Sequence, residues 1–175
     1  MLTPKQIKWI NHLRNDDRVI IKPFDPRTPE IFESVKTKIQ SALGKKTRVE
    51  HRGATSFRIS GQDEIDIYIP IRKKEFNLKI PQLVDLFGEP GSSYPLERVR
   101  FKTIQKGKRV DIFLINEESD GWKNGVIFEK YLKSNPKSLE EYKILKEEGN
   151  GLPSREYYRR KIEFINKILA KTKKD

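Results

Sequence analysis

The sequence predicts an α+β protein, a mixed β-sheet flanked by helices with a helical C-terminal region, and three observations carry that reading. Ile65, Ile67 and Ile69 alternate with Asp66, Tyr68 and Pro70 over 65–71, the two-residue period of a half-buried strand. Lys106-Gly107-Lys108 separates two strand-like runs, 98–105 and 109–115, and marks a hairpin. Beyond Asp120 the pattern becomes helical in three successive segments, 121–134, 138–148 and 154–171, separated by Asn135-Pro136 and by Gly149-Asn150-Gly151-Leu152-Pro153.

The remaining elements follow in chain order. Ile7, Trp9, Ile10 and Leu13 have helical spacing over 3–13, with Thr3 as cap and Pro4 in the first turn. Residues 18–22 (Arg-Val-Ile-Ile-Lys) read as a short strand broken by Pro23-Phe24-Asp25-Pro26. Thr28-Pro29-Glu30 then opens a helix whose face is Ile31, Phe32, Val35, Ile39 and Leu43, and Gly44 stops it. A strand is expected over 47–51, then a glycine turn, then the strand at 65–71. A helix over 76–87 should be broken early by Pro81, and Glu89-Pro90-Gly91-Ser92-Ser93 should form a loop. The expected organisation is an N-terminal helix (1–18), a core (19–118) and a helical region (119–175) packed on the same domain.

Composition narrows the chemistry. The 175 residues contain 37 Lys+Arg against 25 Asp+Glu, a net charge of +12, which favours polyanions such as nucleotides or nucleic acid; the same charge also serves simple solubility. With no cysteine, thiolate metal sites, Fe–S clusters, disulfides and cysteine nucleophiles are excluded. Two histidines, His12 and His51, are too few for a His-rich zinc site. Apolar runs such as Val19-Ile20-Ile21 are far shorter than a membrane span and no charged-then-apolar leader opens the chain, so a cytoplasmic protein without membrane contact is expected.

The informative stretch is Gly53-Ala54-Thr55-Ser56 followed by Glu64-Ile65-Asp66-Ile67. On a strand Glu64 and Asp66 share one face while the isoleucines point to the other. Side-by-side carboxylates repel one another unless a cation lies between them, and hard oxygen donors suit a divalent metal. A lone Glu-x-Asp is more often a solvated face. Asp111, embedded in Val110-Asp111-Ile112-Phe113-Leu114-Ile115, adds a third acid that is costly to bury without a metal or a partner. Gly53 and the small residues after it let backbone amides approach an anion, although a single glycine before small residues is more often an ordinary turn.

This order, a glycine turn, a carboxylate pair on a strand, and a later strand carboxylate, resembles the nucleotidyltransferase superfamily typified by polymerase beta. A closer resemblance spans about residues 19–171 and leaves the first helix outside. Ile21-Lys22-Pro23-Phe24-Asp25-Pro26, Val49-Glu50-His51-Arg52-Gly53-Ala54-Thr55-Ser56, Ile65-Asp66-Ile67, Phe128-Glu129-Lys130-Tyr131-Leu132-Lys133-Ser134-Asn135-Pro136 and Lys161-Ile162-Glu163-Phe164-Ile165 look like the GrpB-type branch of that superfamily. The chain departs from the branch at Ala54, where the branch has Ser, and at Glu64 and Asp111, two acids the branch often lacks.

The resemblance implies transfer of a nucleoside monophosphate from a nucleoside triphosphate to a hydroxyl acceptor. Glu64, Asp66 and Asp111 would be the catalytic and metal-holding residues for Mg²⁺ or Mn²⁺, with Asp111 on the acceptor side. Gly53, Ala54, Thr55 and Ser56 would bind the nucleotide's phosphates; Arg52, Arg58 and Lys102 either add charge there or, as individual cations more often do, simply face solvent. His51 either orients the glycine turn, titrates near neutral pH or simply packs. Trp9, Trp122, Tyr157 and Tyr158 are aromatics that either stack a base or fill a core. The cations Lys143, Lys146, Arg155, Arg159, Arg160, Lys167, Lys171, Lys173 and Lys174 tilt the acceptor toward RNA or another polyanion. They equally suit the alternative, a non-catalytic nucleotide or nucleic-acid binding module. An inert relative acting through protein partners is disfavoured by the three acids.

Overall fold

A computed structural model describes residues 1–173, which fold into two compact units. One unit comprises Phe24–Ile59 and Asp63–Lys123 and contains the whole sheet. Its five strands are β1 (Glu50–Arg52), β2 (Glu64–Ile71), β3 (Ser92–Tyr94), β4 (Arg98–Gln105) and β5 (Lys108–Asn116), in the spatial order β1-β2-β5-β4-β3. β2 and β5 run parallel, and every other pair is antiparallel, so the sheet is mixed as expected. The hairpin between β4 and β5 turns on Lys106 and Gly107, both at positive φ (51° and 77°), the pattern of the two-residue turn that matches strand twist.

Helices α2 (Thr28–Leu43) and α3 (Phe76–Phe87) cover one face of this sheet. Ile31, Val35, Ile39 and Leu43 of α2, with Phe76 and Leu83 of α3, meet Ile65, Ile67 and Ile69 of β2, Val110, Ile112 and Leu114 of β5, and Val99 and Phe101 of β4. Period 3.6 on the helices and period 2 on the strands thus supply one apolar layer each. The opposite face carries the even-numbered residues of β2 and β4 and the odd-numbered ones of β5, which is where the charged side chains collect.

The other unit comprises Met1–Pro23, Ser60–Gln62 and the chain from Asn124. It holds α1 (Pro4–His12), most of α4 (Asp120–Ser134), α5 (Pro136–Glu148) and α6 (Ser154–Thr172). Thr3 and Gln6 form a reciprocal capping box on α1, and Arg155 of α6 donates to Leu13 O (2.7 Å) and Asn11 O (2.9 Å), satisfying carbonyls at the other end of α1. Phe128, Tyr142 and Phe164 pack ring against ring.

Four expectations need correction. Residues 18–22 form no strand: Val19 bonds to Gly151 and Leu152 and Lys22 to Gly61, isolated bridges to loops, because Pro23 ends the run before a ladder can build. The strand expected over 47–51 is shorter and later, Glu50–Arg52. Helix α3 continues through Pro81, whose exposed position costs only one hydrogen bond while Phe76 and Leu83 anchor the helix on either side. Ser92 and Ser93, expected in a loop, pair with β4 as an edge strand too short to show a period.

Candidate metal centre

The site is assembled by strand register. Asp66 on β2 lies opposite Asp111 on the parallel β5, and Glu64 lies opposite Arg109, so the three acids share one sheet face. Among the described residues, Glu64, Asp66 and Asp111 each bring a carboxylate oxygen to within 4.8 Å of the others. The Asp111 side chain is 4% exposed, and its Oδ1 is buried with no hydrogen-bond partner. Arg109, half exposed, pairs with Glu64 and places Nε 3.8 Å from that same Oδ1; Arg100 places a guanidinium nitrogen 3.9 Å from Oδ2. An all-oxygen donor set with one buried unsatisfied lone pair fits a hard divalent cation. Arg109 stands where such an ion's charge would fall, on a side chain long and exposed enough to swing out.

The glycine turn abuts this cluster. Gly53 has φ 74° and ψ −165°, a region nearly closed to other residues, and a Cβ there would lie 2.4 Å from Asp66 Oδ2. Ala54–Phe57 then form a 3₁₀ turn. Ser56 Oγ donates to Gly53 O (2.7 Å), and Thr55 Oγ1 lies 2.9 Å from His51 Nε2, so both hydroxyls bond inside the turn. His51 stacks on Phe32, with centroids 5.0 Å apart, and burial pushes its pKa down to about 4; it packs and orients the turn, and is neutral at pH 7.

The flanking cations diverge. Arg52 is buried, pairs with Glu50 at 3.2 Å and lies over the rings of Trp122 (4.6 Å) and Tyr68 (5.7 Å). Arg58 is exposed, at φ 58°, over the Phe24 ring. Lys102 lies opposite Asp111 in the β4–β5 register, on the acids' face. Asp25 of the Pro-Phe-Asp-Pro motif is structural: Arg27, then Lys108, hold its carboxylate well below the usual range. Lys108 is buried and bridges Asp25 (3.0 Å) and Asp63, which outweigh the desolvation that opposes its charge.

Residues 18–171 match the sequence profile of the GrpB family, described as GrpB protein. The chain belongs to the GrpB family. The crystal structure of conserved protein GrpB from Enterococcus faecalis is similar in fold to this GrpB-family chain, with a TM-score of 0.67 and 17% identity over 87% of this chain and 99% of that one. Comparison with the curated proteins gives no match. The profile begins after α1, as the resemblance implied.

Several residues weighed for nucleic-acid contact have structural work in this GrpB fold. Trp122 is 6% exposed in a cluster with Tyr68, and Tyr157 is fully buried, so neither can receive a base. Burial pushes the Tyr157 hydroxyl up to about 12, and Lys146, itself buried, donates to it at 3.2 Å. Trp9 and Tyr158 meet edge to face. Lys143 pairs with Glu140, Arg160 with Glu156, and Arg155 caps α1. Lys174 lies outside the described residues. No described helix is long and apolar enough to cross a membrane.

Proposed function

We propose that this GrpB-family chain is a metal-dependent nucleotidyltransferase that moves a nucleoside monophosphate from a nucleoside triphosphate to a hydroxyl acceptor. One observation carries the reading: three carboxylates converge on one sheet face, and the most buried of them, Asp111, keeps an oxygen without a hydrogen bond. A purely structural cluster would satisfy that oxygen, since an unmet buried acceptor costs about 1–3 kcal/mol.

Glu64, Asp66 and Asp111 would hold Mg²⁺ or Mn²⁺. Bound there, the ions would neutralise the triphosphate and make the acceptor hydroxyl more acidic. Gly53, against Asp66, lets the nucleotide's phosphates approach the acids from the β1 side, and the backbone through Ala54, Thr55 and Ser56 continues that surface. Asp111, on the β4 side, takes the acceptor's proton. The acceptor oxygen forms a bond to the α-phosphorus as the bond to the β-phosphate oxygen breaks, and pyrophosphate carries away that electron pair. The site adds orientation and charge rather than covalent chemistry.

The test is thermal. Mg²⁺ with a nucleoside triphosphate should raise the melting temperature where neither does alone, because a ligand bound to the native state stabilises it by mass action, about 2.7 kcal/mol at a hundredfold excess over Kd. Asp66→Asn should remove that shift, and a shift that survives in the variant places the nucleotide elsewhere. Label transfer from the triphosphate to an acceptor pool, lost in Asp66→Ala and Asp111→Ala, tests catalysis itself. The non-catalytic binding module is favoured if RNA binds tightly with no transfer and no Mg²⁺ requirement.

A further inference from the structure

On the acids' face, β4 presents Arg98, Arg100 and Lys102 in a row, each two residues from the next. Lys102 lies opposite Asp111 in register and is exposed. Its stem runs past Gly91, where a Cβ would lie 3.3 Å from Lys102 Cε. Arg100 Nε is buried with no hydrogen-bond partner, and its Nη1 lies 3.9 Å from Asp111 Oδ2. At the far end of the row Tyr94 of β3 is 43% exposed, opposite Arg98, whose guanidinium lies 5.1 Å from the ring centroid. The row spans about 13 Å at strand rise. It leads from an exposed ring, past cations with donors to spare, to the acid proposed to receive the acceptor's proton.

Strand order separates this row from the glycine turn. Gly53 touches Asp66 on β2, whereas the row lies beyond Asp111 on the other side, and β5 stands between β2 and β4. Neighbouring strands are about 4.8 Å apart, so two ligands can approach the acids from opposite sides.

We propose that the β3–β4 surface of Tyr94, Arg98, Arg100 and Lys102 is the acceptor subsite, and that the acceptor is a single-stranded RNA. Its backbone phosphates lie on Arg100 and Lys102, and a base stacks on Tyr94. Cations in line with an exposed aromatic ring are the arrangement that binds single strands with little sequence preference, because every base offers a π-face and every nucleotide a phosphate. The word acceptor rests on the transferase reading above; strand binding at this surface has a separate readout.

The experiment measures fluorescence anisotropy of a labelled ten-nucleotide RNA with the full chain across salt concentrations, beside the melting shift given by Mg²⁺ and ATP. Both substituted side chains are exposed, so folding is retained. Tyr94→Ala should weaken RNA binding about tenfold. Lys102→Ala should weaken it and lower the slope of log affinity against log salt by about one. Neither should change the Mg²⁺–ATP shift. Wild-type protein that ignores the RNA, or variants that bind it as wild type does, overturn the proposal. So does loss of the Mg²⁺–ATP shift in Lys102→Ala, which would give the row to the nucleotide's own phosphates. If wild type shows no Mg²⁺-dependent shift with ATP, GTP, CTP or UTP while RNA binding still depends on Tyr94 and Lys102, the surface stands as an RNA site and the transferase reading falls.

Discussion

The two faces of β2 and β5 are built from adjacent residues and do opposite things. Ile65, Ile67 and Ile69 alternate with Glu64, Asp66 and Tyr68; the isoleucines are fully enclosed by α2 and α3, while their neighbours carry the carboxylate cluster. On the first face Ile65, Ile67, Ile69, Val110, Ile112 and Leu114 are apolar and packed. On the second, Asp111 Oδ1 and Arg100 Nε are buried without hydrogen bonds, each costing about 1–3 kcal/mol. The contrast shows where this fold leaves buried polar groups unmet. Such groups are tolerable because the isoleucine layer, one residue away on the same strands, holds the backbone that positions them.

That contrast is broken or upheld most directly by paired substitutions. Ile67→Ala should cost about 2–5 kcal/mol, the range for a large core aliphatic truncated where neighbours cannot collapse. Glu64→Gln, three residues away on the other face, should change stability by less than about 1 kcal/mol, since both it and Arg109 are partly exposed to solvent. Urea denaturation of the two variants beside wild type measures both; comparable losses would show that the faces are not divided between packing and chemistry.

The next effect in size isolates the place where the glycine turn meets the charged face. Gly53 and Gly88 share nearly the same backbone angles, φ 74° with ψ −165° and φ 78° with ψ −167°. A methyl at Gly88 would meet nothing within 4 Å, whereas at Gly53 it would meet the Asp66 carboxylate. Gly88→Ala therefore reports backbone strain alone, roughly 1–3 kcal/mol. Gly53→Ala should cost more and should also abolish the Mg²⁺–triphosphate melting shift, which Gly88→Ala keeps. Equal losses in the two variants, with the shift intact in both, would mean that Asp66 moves aside freely and that its contact with the turn is incidental.

The faces also differ in how legible they were. Periodicity is a property of many residues at once, so the isoleucine layer, α2, the hairpin and the terminal helices could be read directly, and alternation alone put Glu64 and Asp66 together. Asp111 was legible because an acid inside five apolar residues conflicts with its surroundings. What could not be read depends on long-range pairing. Tyr94 and Ser92 lie in a three-residue edge strand whose only signal is its register with β4. Residues 18–22 had the composition of a strand, and only the lack of a long partner made them a bridge. The cations of the terminal helices looked like one class, yet Lys146 is buried against Tyr157 and Arg155 caps α1, assignments made by residues distant in the chain. The Pro-Phe-Asp-Pro motif likewise showed a break but not the ion pairs that hold its acid, the Asp25–Lys108–Asp63 bridge.

The smallest effect expected is a pH dependence assigned to the packed side of the sheet. His51 has a folded pKa of about 4, lowered by burial against Phe32, and an unfolded value of about 6.5. Between those values the unfolded chain binds more protons than the folded one, so the contribution is complete above about pH 6.5 and declines as pH falls toward 4. Because the ring is only partly buried, the loss by about pH 4.5 should be roughly 1–2 kcal/mol, below what the full shift would give. Asp25 does not interfere: its folded pKa is depressed, so its stabilisation is present above its unfolded pKa of about 3.9 and is lost only below it. His51→Gln keeps an amide able to meet Thr55 but cannot titrate. Between about pH 7 and about pH 4.5 the urea midpoint of wild type should fall further than that of the variant, whatever their offset at neutral pH. An identical decline in both proteins would move the titrating group off His51, and with it the assignment of this histidine to packing beside the turn.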